Sequence, residues 1–104
     1  MSEPMYRLNR NRTRTQLCFK ILLHIYDNRV AFNKDTPIYA RDGGLYYLMR
    51  TPDPTLKQAL ADLKDKALIR QYEDDHHGLL YASITPKGIQ MIEGSAKVMM
   101  AFFT

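Results

Sequence analysis

The 104-residue sequence has no tryptophan, one cysteine and no long apolar run. Cys18 has no partner in the chain, so no intrachain disulfide can staple the fold, and a reducing compartment is expected, with the cytoplasm the natural location. No stretch approaches the roughly 18 apolar residues of a membrane span, so no membrane partner is expected. The segment Met1 to Arg7 lacks the apolar stretch of a signal peptide. Catalytic hardware is missing too. There is no Gly-rich phosphate loop, no Ser or Cys nucleophile in a recognisable setting, and no pair of carboxylates on one helix face. The expectation is a non-enzyme without a cofactor. His76-His77 beside Asp74-Asp75 offers metal-ligating atoms. Neighbours on one loop tip rarely converge on a single ion, so no metal site is expected.

What is present is an ordinary globular composition. Hydrophobic residues make up 45% of the chain, enough for one core at this length. The net charge is +4 and unevenly placed. Residues 1–50 carry nine Lys/Arg against four Asp/Glu, for +5, and residues 51–104 carry six against seven, for −1. A basic half of this kind suits a polyanionic partner. Arg7, Arg10, Arg12 and Arg14 alternate with Asn and Thr near the start. They read as a basic arm over residues 1–12, for which a mobile segment and the exposed start of a helix are both open.

The spacing of Leu17, Ile21, Leu22 and Ile25 predicts a helix from about Thr13 or Thr15 to Asn28, with Cys18 as a small apolar residue at the edge of its stripe. Thr36 to Ala40 reads as a short edge strand, since proline is tolerated at strand starts. Gly43-Gly44 interrupts. Leu45 to Met49 is too short to assign as helix or strand by periodicity. Arg50-Thr51-Pro52-Asp53-Pro54 is a turn, with Asp53 suited to capping a helix and Pro54 to its first position. From Thr55 to Ala67, Leu56, Ala59, Leu60, Leu63 and Ala67 recur at spacings of three and four, a helix with one buried face. Leu68–Tyr72 and Leu79–Ile84 are strand-like, with a polar tip between them that ends in Gly78. Thr85-Pro86 opens another helix. If that helix passes through Gly94-Ser95, then Ile89, Ile92, Ala96, Met99 and Phe103 form one continuous stripe. Tyr39, Tyr46 and Tyr47 read as core packing with surface hydroxyls, a small-molecule pocket being the alternative. The fold class is therefore α+β: a three-helix core and a two-stranded hairpin over residues 13–93, and an apolar helical extension over 94–104.

Two segments resemble a known group. The run from Thr55 to Arg70 resembles the recognition helix and following strand of MarR- and PadR-type regulators, with Ala67 where glycine is usual. Ile84-Thr85-Pro86-Lys87-Gly88 is similar to the Leu-Thr-Pro-x-Gly that opens the helix after the hairpin "wing" in the same proteins. The resemblance implies a winged helix-turn-helix that binds double-stranded DNA as a transcriptional regulator, with helix 55–67 in the major groove. It implies groove contacts from Thr55, Lys57, Gln58, Ala61, Asp62 and Lys64, and phosphate contacts from Arg50 and Thr51. The arm arginines, Arg7, Arg10, Arg12 and Arg14, would add phosphate contacts. A homodimer would use the apolar tail, through Val98, Met99, Met100, Phe102 and Phe103, and would set two recognition helices about one DNA turn apart, roughly 34 Å. A plasmid or viral replication or partition protein would need the same chemistry. The wing departs from the pattern, carrying Glu73, Asp74 and Asp75 where phosphates call for cations. That departure keeps open a protein-interaction module within a larger assembly, without DNA contact.

Overall fold

The apolar stripe of the first helix is buried in the computed structural model, which describes the backbone of residues 3–103 and the side chains of residues 14–94. Among the described residues the elements run α1 (Glu3–Phe32), β1 (Thr36–Pro37), α2 (Leu45–Met49), α3 (Asp53–Asp65), β2 (Ile69–Glu73), β3 (Leu80–Ile84) and α4 (Pro86–Phe103). The architecture is α+β: four helices and a three-stranded antiparallel sheet of order β1-β3-β2.

Ile21, Leu22 and Ile25 of α1 pack in one core with Leu56, Ala59, Leu60 and Leu63 of α3, the strand residues Ile69, Ala82 and Ile84, and Ile92 of α4. Ile21, Ile38, Leu45 and Leu56 are completely enclosed. Full burial of side chains of this size stabilises by roughly 1.5–3 kcal/mol each before entropy is counted. No polar side-chain atom buried among the described residues lacks a hydrogen-bond partner. Thr36, also completely enclosed, accepts a 2.7 Å hydrogen bond from Asn28 Nδ2.

Several boundaries differ from the sequence expectation. The α1 backbone is helical from Glu3, ten residues ahead of Thr13, so of the two readings open for the basic segment it is the start of a helix. Leu45–Met49 is a helix. Gly44 is its N-cap, and an added Cβ there would lie 2.2 Å from the Ala40 carbonyl oxygen, so only glycine fits. α3 starts at Asp53 instead of Thr55, with Pro52 and not Asp53 as its N-cap, and stops at Asp65. α4 continues through Gly94-Ser95 to Phe103. β1 is two residues long and pairs only with β3, Thr36 facing Ala82 and Pro37 facing Tyr81. Pro37 has no N–H to give a ladder, which suits an edge.

α3 ends in a Schellman motif. The Leu68 N–H donates to Leu63 O at 3.0 Å and the Ala67 N–H to Lys64 O at 2.9 Å, with Leu63 and Leu68 both buried. The motif needs a left-handed residue, and Ala67 supplies it at φ 59°. An alanine there bears a Cβ clash that glycine avoids. Ala67 is exposed, so its methyl packs nothing. Ala67→Gly is expected to stabilise the protein by about 0.5–1 kcal/mol, net of glycine's greater unfolded-state entropy. A thermal melt would show this as a rise of a few degrees. An unchanged or lower midpoint would contradict the assignment of strain to Ala67.

Candidate nucleic-acid interface

The exposed side of α3 follows from its buried side. Leu56, Ala59, Leu60 and Leu63 face the core, so the opposite face is centred on Pro54, Gln58, Ala61 and Asp65. Lys57 and Lys64 flank it on one side, and Thr55 and Asp62 on the other. Thr55, Lys57, Gln58 and Lys64 are exposed, while Ala61 and Asp62 are half-buried. The structure thus brings these six positions onto one solvent-facing surface.

The turn before α3 carries the next two. Arg50, the C-cap of α2, is exposed and left-handed, at φ 49° and ψ 45°. A non-glycine residue held there costs free energy, and such residues concentrate at functional sites. The Thr51 hydroxyl donates to Met49 O at 2.9 Å, which turns the side chain back onto α2.

Two charges on this surface, Lys57 and Asp62, are partnered. Lys57 Nζ lies 3.0 Å from Asp53 Oδ2, one helical turn away. Asp53 Oδ1 accepts the Tyr39 hydroxyl at 2.7 Å. Tyr39 also packs on Tyr46, with ring centroids 5.8 Å apart, and Tyr46 meets Tyr47 edge-on at 5.1 Å. The three tyrosines therefore brace α2 against the start of α3. Partial burial and the Asp53 hydrogen bond push the Tyr39 hydroxyl up to about 12. The Tyr39 and Lys57 hydrogen bonds hold the Asp53 carboxyl below its ordinary range.

Arg14 reaches from α1 to α3. Its Nε donates to Asp62 Oδ2 at 2.6 Å and its Nη2 to Asp62 Oδ1 at 2.7 Å, a forked pair. Gln58 Nε2 donates to the same Asp62 Oδ1 at 3.3 Å. The Arg14 hydrogen bond, aided by Gln58, holds the Asp62 carboxyl below its ordinary range. Nearby, the Cys18 thiol meets Ala59 O at 3.7 Å, and burial, then the charge of Asp62, raises its pKa. The side chains of Arg7, Arg10 and Arg12, and those of Val98, Met99, Met100, Phe102 and Phe103, lie outside the described residues.

The wing is built differently from α3. Its strands pair from Ile69–Ile84 to Glu73–Leu80. At the tip, Asp74 N–H donates to Leu79 O at 2.7 Å, and Gly78 turns the chain at φ 64°. The Asp74 carboxylate accepts the His76 N–H and lies 3.3 Å from His77 Nδ1. Glu73 and Asp75 are exposed. The hairpin is tied down close to its tip by the Tyr72 hydroxyl, which donates to Asp35, itself paired with Arg29 at 2.5 Å. Tyr72 stacks on Tyr81 with ring centroids 5.7 Å apart. Burial is secondary to the Asp35 hydrogen bond in pushing Tyr72 up to about 12. Among the described residues no cluster of His, Cys, Asp and Glu could hold a metal ion, and no helix is long and apolar enough to cross a membrane.

The spacing of the apolar residues in the sequence locates the solvent-facing side of α3 but not its side-chain partners. The Asp53–Lys57 pair had a signal, opposite charges four residues apart. The Arg14–Asp62 pair spans 48 positions and had none. No family model, curated protein or solved structure matches the chain.

The Asp53 and Asp62 carboxyls of α3 are held low in the folded state. Their stabilisation is therefore present above the ordinary carboxylate range, near pH 4, and lost as the pH falls through the folded-state values. The melting temperature is expected to drop on acidification below about pH 4. In an Asp53→Asn/Asp62→Asn double variant the drop is shallower. Parallel curves for the two proteins would contradict the ion-pair geometry.

Proposed function

We propose that the chain is a winged helix-turn-helix protein that binds double-stranded DNA, with α3 in the major groove. The observation that carries this reading is one surface. Thr55, Lys57, Gln58, Ala61 and Lys64 stand on a rigid helix, and Arg50 projects from the turn before it. Lysine and glutamine on such a face are suited to guanine, phosphate and adenine contacts. The element order also fits: a short helix, a tight turn, a longer helix, then a hairpin and a helix. Regulation of transcription from an operator-like site is the role such a surface serves most directly, and replication or partition of a plasmid or viral genome uses the same chemistry. A homodimer would pair two such surfaces across a two-fold site.

A second reading has its own support. The wing presents Glu73 and Asp75 beside the exposed Tyr72, Leu79 and Leu80. Acidic and apolar groups side by side suit a protein partner and repel phosphates. In a DNA-binding protein the wing would then turn away from the duplex.

Fluorescence anisotropy of a labelled random-sequence duplex separates the two. Binding is expected in the range of about 10⁻⁴–10⁻⁶ M near physiological salt, weakening steeply as salt rises. Lys57→Ala is expected to weaken binding and to make the salt slope shallower by about one. Gln58→Ala leaves the slope unchanged. No binding at low salt would favour the protein-interaction reading, and equal binding by all three proteins would overturn the placement of α3 in the groove.

A further inference from the structure

The Arg14–Asp62 pair is open to solvent, with 47% of the arginine side chain and 23% of the aspartate side chain accessible. Exposed ion pairs of this kind contribute little to stability. Its location matters more. It joins α1 to the flank of α3, beside Gln58, on the surface proposed to meet DNA.

We propose that Asp62 is a specificity-determining residue whose carboxylate takes the place of a DNA phosphate on Arg14. This rests on the duplex-binding reading above. Nε and Nη2 of Arg14 form the fork that a phosphate would engage, and Asp62 fills it at 2.6 and 2.7 Å. A phosphate takes the Nε–Nη2 fork of Arg14 only by displacing the carboxylate. The released carboxylate then lies within a Debye length of the DNA backbone and is repelled by it. Arbitrary sequence bears this penalty in full. A cytosine placed to offer its N4 amino group to Asp62 relieves it. Asp62 also orients its neighbour. Because Gln58 Nε2 donates to Asp62, the Gln58 amide oxygen is the atom without a partner among the described residues. An acceptor presented this way matches an adenine N6 or cytosine N4 donor. The same carboxylate thus lowers affinity for random DNA and sets which base edge Gln58 can read.

The test is the isosteric Asp62→Asn variant, measured by anisotropy against a random-sequence duplex across a salt series. Circular dichroism checks that it folds. Random-duplex affinity is expected to rise about 3- to 10-fold near 100 mM salt, and the slope of log affinity against log salt to steepen by about 0.9, one added phosphate contact. Arg14→Gln alone should weaken random-duplex binding, since it leaves the Asp62 carboxylate without its counter-charge beside the DNA backbone. The double variant Asp62→Asn/Arg14→Gln should return to the wild-type value. A gain that persists without Arg14 would show direct repulsion only and overturn the proposal. So would wild-type binding that Asp62→Asn leaves unchanged or weakens, with duplex binding itself intact. Failure of both wild type and Asp62→Asn to bind at low salt would remove the duplex-binding reading as well.

Discussion

The structure depends on a junction at Thr85, where four elements are tied by one buried residue. The Thr85 hydroxyl donates to Ala67 O at 2.7 Å and accepts the Gly88 N–H at 3.0 Å, while the Thr85 N–H donates to Leu68 O at 3.1 Å. The first bond holds the end of α3, the second caps α4, and the third fixes the start of β2 against the end of β3. Gly88 completes the junction. A Cβ there would lie 2.4 Å from the Leu68 carbonyl oxygen, so the helix can approach this closely only with glycine. The direction of α3 relative to the hairpin and α4 is set here, and with it the face that α3 shows to solvent.

The core on the other side of α3 follows from that direction. Leu56, Leu60 and Leu63 meet the α1 stripe of Ile21, Leu22 and Ile25 without a buried charge. α3 is therefore clamped along its inner face and capped at its C-terminal end. Its outer residues sit on a rigid support, as a recognition surface requires. The polar contacts along the outside, Tyr39–Asp53–Lys57 and Arg14–Asp62–Gln58, add orientation more than stability.

Local pattern made much of this legible in the sequence. The three-and-four spacing of α3, the Thr-Pro-x-Gly of the α4 cap and the hairpin with its glycine all carry short-range signals, and the structure places them within two residues. Ala67 in a glycine position was visible as an oddity, and the Schellman geometry supplies its cause. Other features were illegible for a physical reason. The five residues of α2 are too few for a period, and the Gly44–Ala40 contact that starts the helix is a matter of backbone approach. The helical start of α1 lacks the apolar periodicity from which helices are read. The Arg14–Asp62 and Tyr72–Asp35 pairs join residues 48 and 37 positions apart, and only the tertiary fold brings them together. Asp62 therefore looked like a groove contact from sequence, and in the fold it is first a partner of Arg14.

The charge distribution gives these observations a common sense. The basic half carries α1 and the turn before α3, while the acidic wing is held by bonds of its own, through Asp74 at its tip and from Tyr72 to Asp35. A duplex on α3 would meet Arg50, Lys57 and Lys64 and leave the wing tip untouched. The most direct test is a titration of isotopically labelled protein with a short random-sequence duplex, followed by amide chemical-shift mapping. The account predicts perturbations concentrated between Arg50 and Lys64 and near Arg14, with Glu73 to Leu79 silent. Shifts confined to the wing, or none at all, would contradict it.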